Sequence, residues 1–183
     1  MIKSKLIILI IGLPGCGKTT LSEAIAKHYS VTYFSTEKIR AEMINVDYVP
    51  EDCDFTKEEL ESVYNLIARL TAEAIIDSDV VVVEGVFRSR HQRDLIYSIS
   101  RKNPVIEVKT FLIECDEEIV YKRLISRKQS KTVSPAGIQA YNSIKSSFES
   151  ESESEMFIRV ENSNRLASSI NYILGNLKRK SDL

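Results

Sequence analysis

The chain has 183 residues, 43% hydrophobic and 28% charged, which is long and apolar enough for one folded domain with a sizeable core and excludes a disordered or fibrous protein. Its 25 Lys and Arg against 26 Asp and Glu leave a formal charge of −1, so there is no global basic excess to hold a nucleic-acid backbone or an anionic membrane; any polyanion has to be gripped locally. Three irregularly spaced cysteines, Cys16, Cys53 and Cys115, form neither a disulfide framework nor a metal-cluster pattern, and cytoplasmic localisation is the expectation.

The start imitates a secretion signal: Lys3 and Lys5, the apolar run 6–11, then Leu13-Pro-Gly-Cys16. That run is short for a signal, the proline is awkward before a cleavage site, and the same residues fit a phosphate-binding loop better. No run approaches the roughly 18 apolar residues of a membrane span, and no membrane partner is expected.

Residues 6–11 form a β-branched run closed by Gly12, the pattern of a strand buried on both faces. Leu21, Ala24, Ile25 and Tyr29 fall at helical spacing over 20–29. A short strand over 31–35 and a brief helix over 39–44 follow. Thr56-Lys-Glu-Glu59 is a capping box opening a long helix with Leu60, Tyr64, Ile67, Leu70 and Ala74 on one face. Val80–Val83 is a third strand, ending at Glu84-Gly85. A helix over 90–101 stops near Asn103-Pro104, and a strand over 105–113 and a helix over 117–128 come next. Ser134-Pro135 reads as cap and first turn of a helix through Ile138, Tyr141, Ile144 and Phe148. A fifth strand over 156–160 and a last helix through Leu166, Ile170, Ile173, Leu174 and Leu177 complete the pattern. The acidic stretch 149–155 reads as a solvated helix end or mobile loop, and 178–180 as a frayed basic tail. Strands alternating with helices predict an α/β fold, a three-layer single domain over 1–183 with about five mostly parallel strands covered on both faces.

Gly12-Leu13-Pro14-Gly15-Cys16-Gly17-Lys18-Thr19 is a complete GxxxxGK[ST] sequence between a buried strand and an amphipathic helix. In such a loop backbone N–H groups cradle phosphate oxygens at the positive helix end, the lysine reaches the β- and γ-phosphates, and the hydroxyl of Thr19 ligates Mg²⁺. Gly12 through Thr20 are the expected ATP-binding residues. Cys16 lies at a helix N-terminus, where a thiol is sometimes redox-sensitive, but any small residue suits the place.

Glu84 ends a strand, where an acid holds the metal or orients a water. Glu37, after the second strand, reaches the crevice at the carboxyl ends of the strands and is the candidate general base; which of the two acids takes the proton stays open. Arg40, one turn on, is a candidate for an anionic part of the substrate. Arg123 and Arg127 share one helix face and are candidates for neutralising charge on the transferring phosphate. Lys128, Lys131 and their neighbours have the composition of a mobile lid around 127–135. Neither histidine carries a site: His28 reads as structural and His91 as mostly surface.

These residues resemble the AAA_33 type of P-loop kinase, similar to the 5′-end kinase domain of phage polynucleotide kinase and more distantly to zeta toxins. Residues 12–20 match the GLPGSGKST loop of that family, 34–40 resemble its SSDxxR segment, 81–88 its VVxDATxxR segment, and 121–127 its lid RxxxR; Val133-Ser-Pro to Phe148-Glu149 resembles a helix segment ending in Phe-Glu. The resemblance implies that Glu37 activates an attacking hydroxyl, that Arg40 contacts an acceptor phosphate, and that the lid arginines contact the transferring phosphate. Both family aspartates are glutamates here, at 37 and 84, which lengthens each arm by one methylene, and Val86 replaces a polar residue.

Rival P-loop classes fail by absence: there is no NKxD, no LSGGQ and no motor-length chain, and the adenylate type usually carries Gly-Lys-Gly-Thr where this chain has Gly17-Lys18-Thr19-Thr20. Between Glu42 and Glu61 eight acids face one base, whereas Arg88 to Lys102 holds five bases and His91 against Asp94 alone. Arg88 and Arg93 are therefore candidate acceptor ligands. The expectation is an ATP·Mg²⁺ phosphotransferase acting on a small molecule or a nucleic-acid 5′ end, the other reading being a nucleotide-dependent switch that signals to a protein partner. Oligomeric state is not written in the sequence.

Overall fold

The fold follows from β1 (Lys5–Gly12), whose residues from Ile7 onward are almost all fully buried. A strand covered on both faces needs an apolar residue at every position, and the sheet grows outward from it in the order β2-β3-β1-β4-β5, all parallel. The other strands are β2 (Tyr33–Ser35), β3 (Val80–Glu84), β4 (Ile106–Glu114) and β5 (Phe157–Glu161). The structure is a computed structural model that describes residues 4–43, 55–128, 137–163 and 165–177, backbone alone at 127 and 128.

Alternation along β1 divides the core. Ile7, Leu9 and Ile11 pack with Ile39 of α2 (Thr36–Met43), with Val63, Tyr64, Ile67 and Ile75 of α3 (Lys57–Asp77), and with Ile96 of α4 (Arg90–Lys102). Leu6, Ile8 and Ile10 face the other way, onto Leu21 and Ile25 of α1 (Lys18–Tyr29) and Ile173 and Leu177 of α7 (Leu166–Leu177). Each such buried side chain stabilises the fold by about 1.5–3 kcal/mol. A satellite cluster, Val120, Leu124 and Tyr141, joins α5 (Glu117–Lys128) to α6 (Ile138–Ser146).

The expected three-layer parallel fold is thus the observed one, with local differences. α1 begins at Lys18 and α2 at Thr36, each earlier than apolar spacing alone marks, because the first turn of a helix is set by its loop and not by its buried face. α6 begins at Ile138 with Gly137 at its N-cap; Ser134-Pro135, most of the expected lid and the basic tail lie outside the described residues. The acidic stretch 149–155 is no solvated helix end. Glu149 accepts a hydrogen bond from the backbone N of Arg90 at 2.6 Å, capping α4, and Glu155 pairs with Arg93 at 2.5 Å. The capping boxes at Thr56–Glu59 and Ser89–Gln92 fix the starts of α3 and α4.

Candidate functional site

The carboxyl edge of the sheet gathers the chemistry. β1 ends in the loop 12–17, which enters α1 through Gly17 at φ 92°, a left-handed conformation that favours glycine. The first-turn N–H groups of α1 lack helical partners and point into the crevice. Lys18 opens the helix, is 5% exposed and donates from Nζ to the Leu13 carbonyl at 3.0 Å, so its charge is held across the loop. Leu13 and Thr19 are half-buried, Pro14 and Gly15 buried, and Thr20 exposed. The Cys16 thiol is buried and held above its ordinary range by that burial, with Lys18 opposing; a thiol so placed is not a reactive thiolate.

Register explains the acid. Glu84 pairs with Ile10 of β1 on one side and Ser35 of β2 on the other, so the last residue of β3 lies beside the start of the loop. Its carboxylate is buried. Oε2 accepts hydrogen bonds from Tyr33 Oη and Ser35 Oγ, both at 2.9 Å, while Oε1 accepts none. Burial raises its pKa; Lys18 opposes that, the nearby Glu37 adds to it, and the Ser35 and Tyr33 hydroxyls oppose it. Burial likewise pushes the Tyr33 hydroxyl up, with the Glu84 charge adding.

Glu37 comes close because α2 starts directly at the end of β2. A Cβ at Gly85 would lie 2.6 Å from Thr36 Oγ1, so only glycine lets the first turn of α2 approach the end of β3. Arg40, half-buried, donates from Nε to Thr36 O at 3.3 Å and stands 5.6 Å from the Phe55 ring. Tyr64 of α3 is buried edge-on against Phe87, ring centroids 5.1 Å apart. Burial pushes its hydroxyl up, and the charges of Arg40, Arg88 and Lys18 oppose the shift. Phe87 itself has φ 46°, rare for a bulky residue.

Two expected residues are differently employed. Arg93 is not an acceptor ligand: it is fully buried, bonds both oxygens of Glu155 and donates to the carbonyls of Phe87, Glu149 and Ser150. The basic patch loses its central cation because α4 points this side chain inward, toward the acidic connection. Arg123 reaches the loop, but its guanidinium donates to Gly15 O at 3.3 Å, Asn162 O at 3.2 Å and Cys115 Sγ at 3.4 Å, which braces the loop from the β5 side. Arg127 lies one turn further along α5, its side chain outside the description.

Sequence reasoning missed Tyr33, Ser35 and Asn162. Parallel pairing of the second and third strands would have flagged Ser35 opposite Glu84. The Asn162-Ser163 pair at the end of the fifth strand marked the same edge of the sheet. Among the described residues no three His, Cys, Asp or Glu gather as a metal cluster would need, and no helix is long and apolar enough to cross a membrane.

Fold and loop together define a P-loop nucleotide-binding domain of the kinase type. Residues 11–139 match the AAA_17 model, an AAA domain, and the chain belongs to that family. An adenylate kinase of Lactobacillus acidophilus is 30% identical over 131 residues, 68% of this chain and 59% of that protein, so the chain spans about three fifths of the relative's length. The departure of Thr19 from Gly-Lys-Gly-Thr therefore does not set the chain apart from adenylate kinases in overall sequence. In structure it resembles a putative kinase of Chloroflexus aurantiacus (TM-score 0.74, 13% identity, 96% and 100% of the two chains). It also resembles a sugar kinase of Janibacter sp. (TM-score 0.68, 14% identity, 95% and 94%). These likenesses show the fold.

Proposed function

We propose that the protein is an ATP·Mg²⁺-dependent phosphotransferase that moves the γ-phosphate of ATP to a hydroxyl of a small molecule. The observation that carries this reading is Glu84, a buried carboxylate beside the loop with one oxygen fixed by Tyr33 and Ser35 and the other without a hydrogen-bond partner. A hard divalent cation takes oxygen ligands, so Oε1 of Glu84 and the hydroxyl of Thr19 fit magnesium, which when bound neutralises phosphate charge. Lys18 would stabilise the moving phosphoryl group from inside the loop, and Glu37 would accept the proton of the attacking hydroxyl. Arg40 and Arg88 would hold an anionic part of the acceptor, and Arg127 would neutralise charge on the transferring phosphate.

The adenylate kinase relative supports a small acceptor. The nucleic-acid 5′ end implied by the AAA_33 likeness is the second acceptor class. Two lengthened arms, at Glu37 and Glu84, are the reason for considering a slow ATP switch; the one at Glu84 is accommodated by two hydroxyl donors, which favours transfer.

The test is γ-labelled ATP with Mg²⁺ and two acceptor sets, nucleoside monophosphates and sugars in one, oligonucleotides with 5′-hydroxyls in the other. Label is expected in the first set. Lys18→Met should lower it at least about 100-fold with the circular dichroism unchanged. Label on oligonucleotides alone would move the acceptor to a nucleic-acid end, and label only as inorganic phosphate would support the switch.

A further inference from the structure

A phosphate loop works only if its N–H groups face inward, so its carbonyls must turn outward and find donors there. The Leu13 carbonyl accepts from Lys18 Nζ and the Gly15 carbonyl from Arg123. The third, on buried Cys16, accepts from Nδ2 of Asn162 at 2.8 Å, across 146 residues of sequence. Asn162 follows β5 and is 5% exposed. Its backbone N donates to Glu114 O at 2.8 Å at the end of β4, and its own carbonyl accepts from Arg123 at 3.2 Å. The amide is supported from α7: buried Ser169 Oγ shares its one proton between Glu161 O at 2.8 Å and Asn162 Oδ1 at 3.1 Å. With Oδ1 turned toward Ser169, the NH₂ end must face the loop. A Cβ at Gly17 would collide with Nδ2, so the carboxamide also occupies the space behind the left-handed residue that starts α1.

We propose that Asn162 is a positioning residue for the nucleotide, fixing the Cys16–Gly17 peptide so that the amides of the loop stay aimed at the triphosphate, and that Ser169 orients it. The inference rests on the ATP-binding reading above and extends it to a residue that acts through the backbone of the loop. Asp at 162 keeps size and the backbone bonds but sets a carboxylate against the Cys16 carbonyl, acceptor against acceptor.

The experiment uses the full chain with Asn162→Asp and, separately, Ser169→Ala, and two readouts: the affinity for MgATP by titration calorimetry where circular dichroism shows both chains folded, and amide hydrogen exchange of the apo proteins resolved to peptides. Asn162→Asp is expected to weaken MgATP about tenfold, the equivalent of one hydrogen bond, and to speed exchange over 12–20 while the β3 peptide is unchanged. Ser169→Ala should do the same more weakly, and carries the test alone if the aspartate variant does not fold. A side chain of purely structural importance would lower the melting temperature and leave the affinity of the folded chain alone. Unchanged affinity, or unchanged exchange over 12–20, overturns the proposal. A wild-type chain that binds no MgATP, with the loop still loosened in the variant, overturns the nucleotide reading while the clamp on the loop stands.

Discussion

Glu84 has two oxygens in unlike surroundings, and that asymmetry has a measurable consequence. Its carboxyl is raised above the usual 4.5 by burial, against Lys18 and the two hydroxyl donors and with Glu37 adding. A carboxyl raised on folding binds its proton more tightly in the native state than in the unfolded one. Stability is therefore greatest below the ordinary value and is lost as pH rises from there through the raised one. Glu84→Gln removes this slope. Melting temperatures of the two apo proteins from pH 4 to 8 should diverge, the variant gaining relative to wild type as pH rises; parallel curves would mean that the carboxylate is not strained by its burial. The loop and Glu84 were legible because their residues are contiguous and end strands. Tyr33, Ser35 and Asn162 were not, because each acts on a partner brought close only by strand pairing.

At the scale of elements, the helices and strands were readable from apolar spacing and capping boxes, while the connection 149–155 was not. Its alternating acids carry no apolar signal, and what orders it is Arg93, whose partners lie 56 to 62 residues away. Arg93 ties α4, the turn at Phe87 and this connection into one unit, with Glu155 held below its ordinary range by Arg93 despite burial. Removing one member of a buried pair leaves the other charge without compensation. Arg93→Ala should cost about 3–5 kcal/mol in urea unfolding, and the double change with Glu155→Ala should cost less than Arg93→Ala alone. Arg93→Lys should not restore stability, because an ammonium lacks the planar fork that meets both oxygens and the carbonyls. The KM for the acceptor should be unchanged in the folded variant, which separates this latch from an acceptor ligand.

At the scale of the molecule, both core layers are carried by one strand. β1 sends Ile7, Leu9 and Ile11 to one face and Leu6, Ile8 and Ile10 to the other, then continues as the loop into α1. A nucleotide held at this edge would contact elements of both layers: α1 behind the loop on one face, α2 across the crevice on the other. Binding to the native state alone stabilises it by mass action, about 2.7 kcal/mol at a hundred times the dissociation constant. For a chain of this size that is a rise in melting temperature of about 5–10 °C. Because the layers share β1, thermal unfolding should stay a single transition that moves as a whole with MgATP. On the proposed holding of magnesium by Glu84 and Thr19, chelating the metal should shrink the shift, and Lys18→Met should nearly abolish it. Two transitions, only one of them moved by ligand, would mean that the faces unfold separately and that the crevice does not join them.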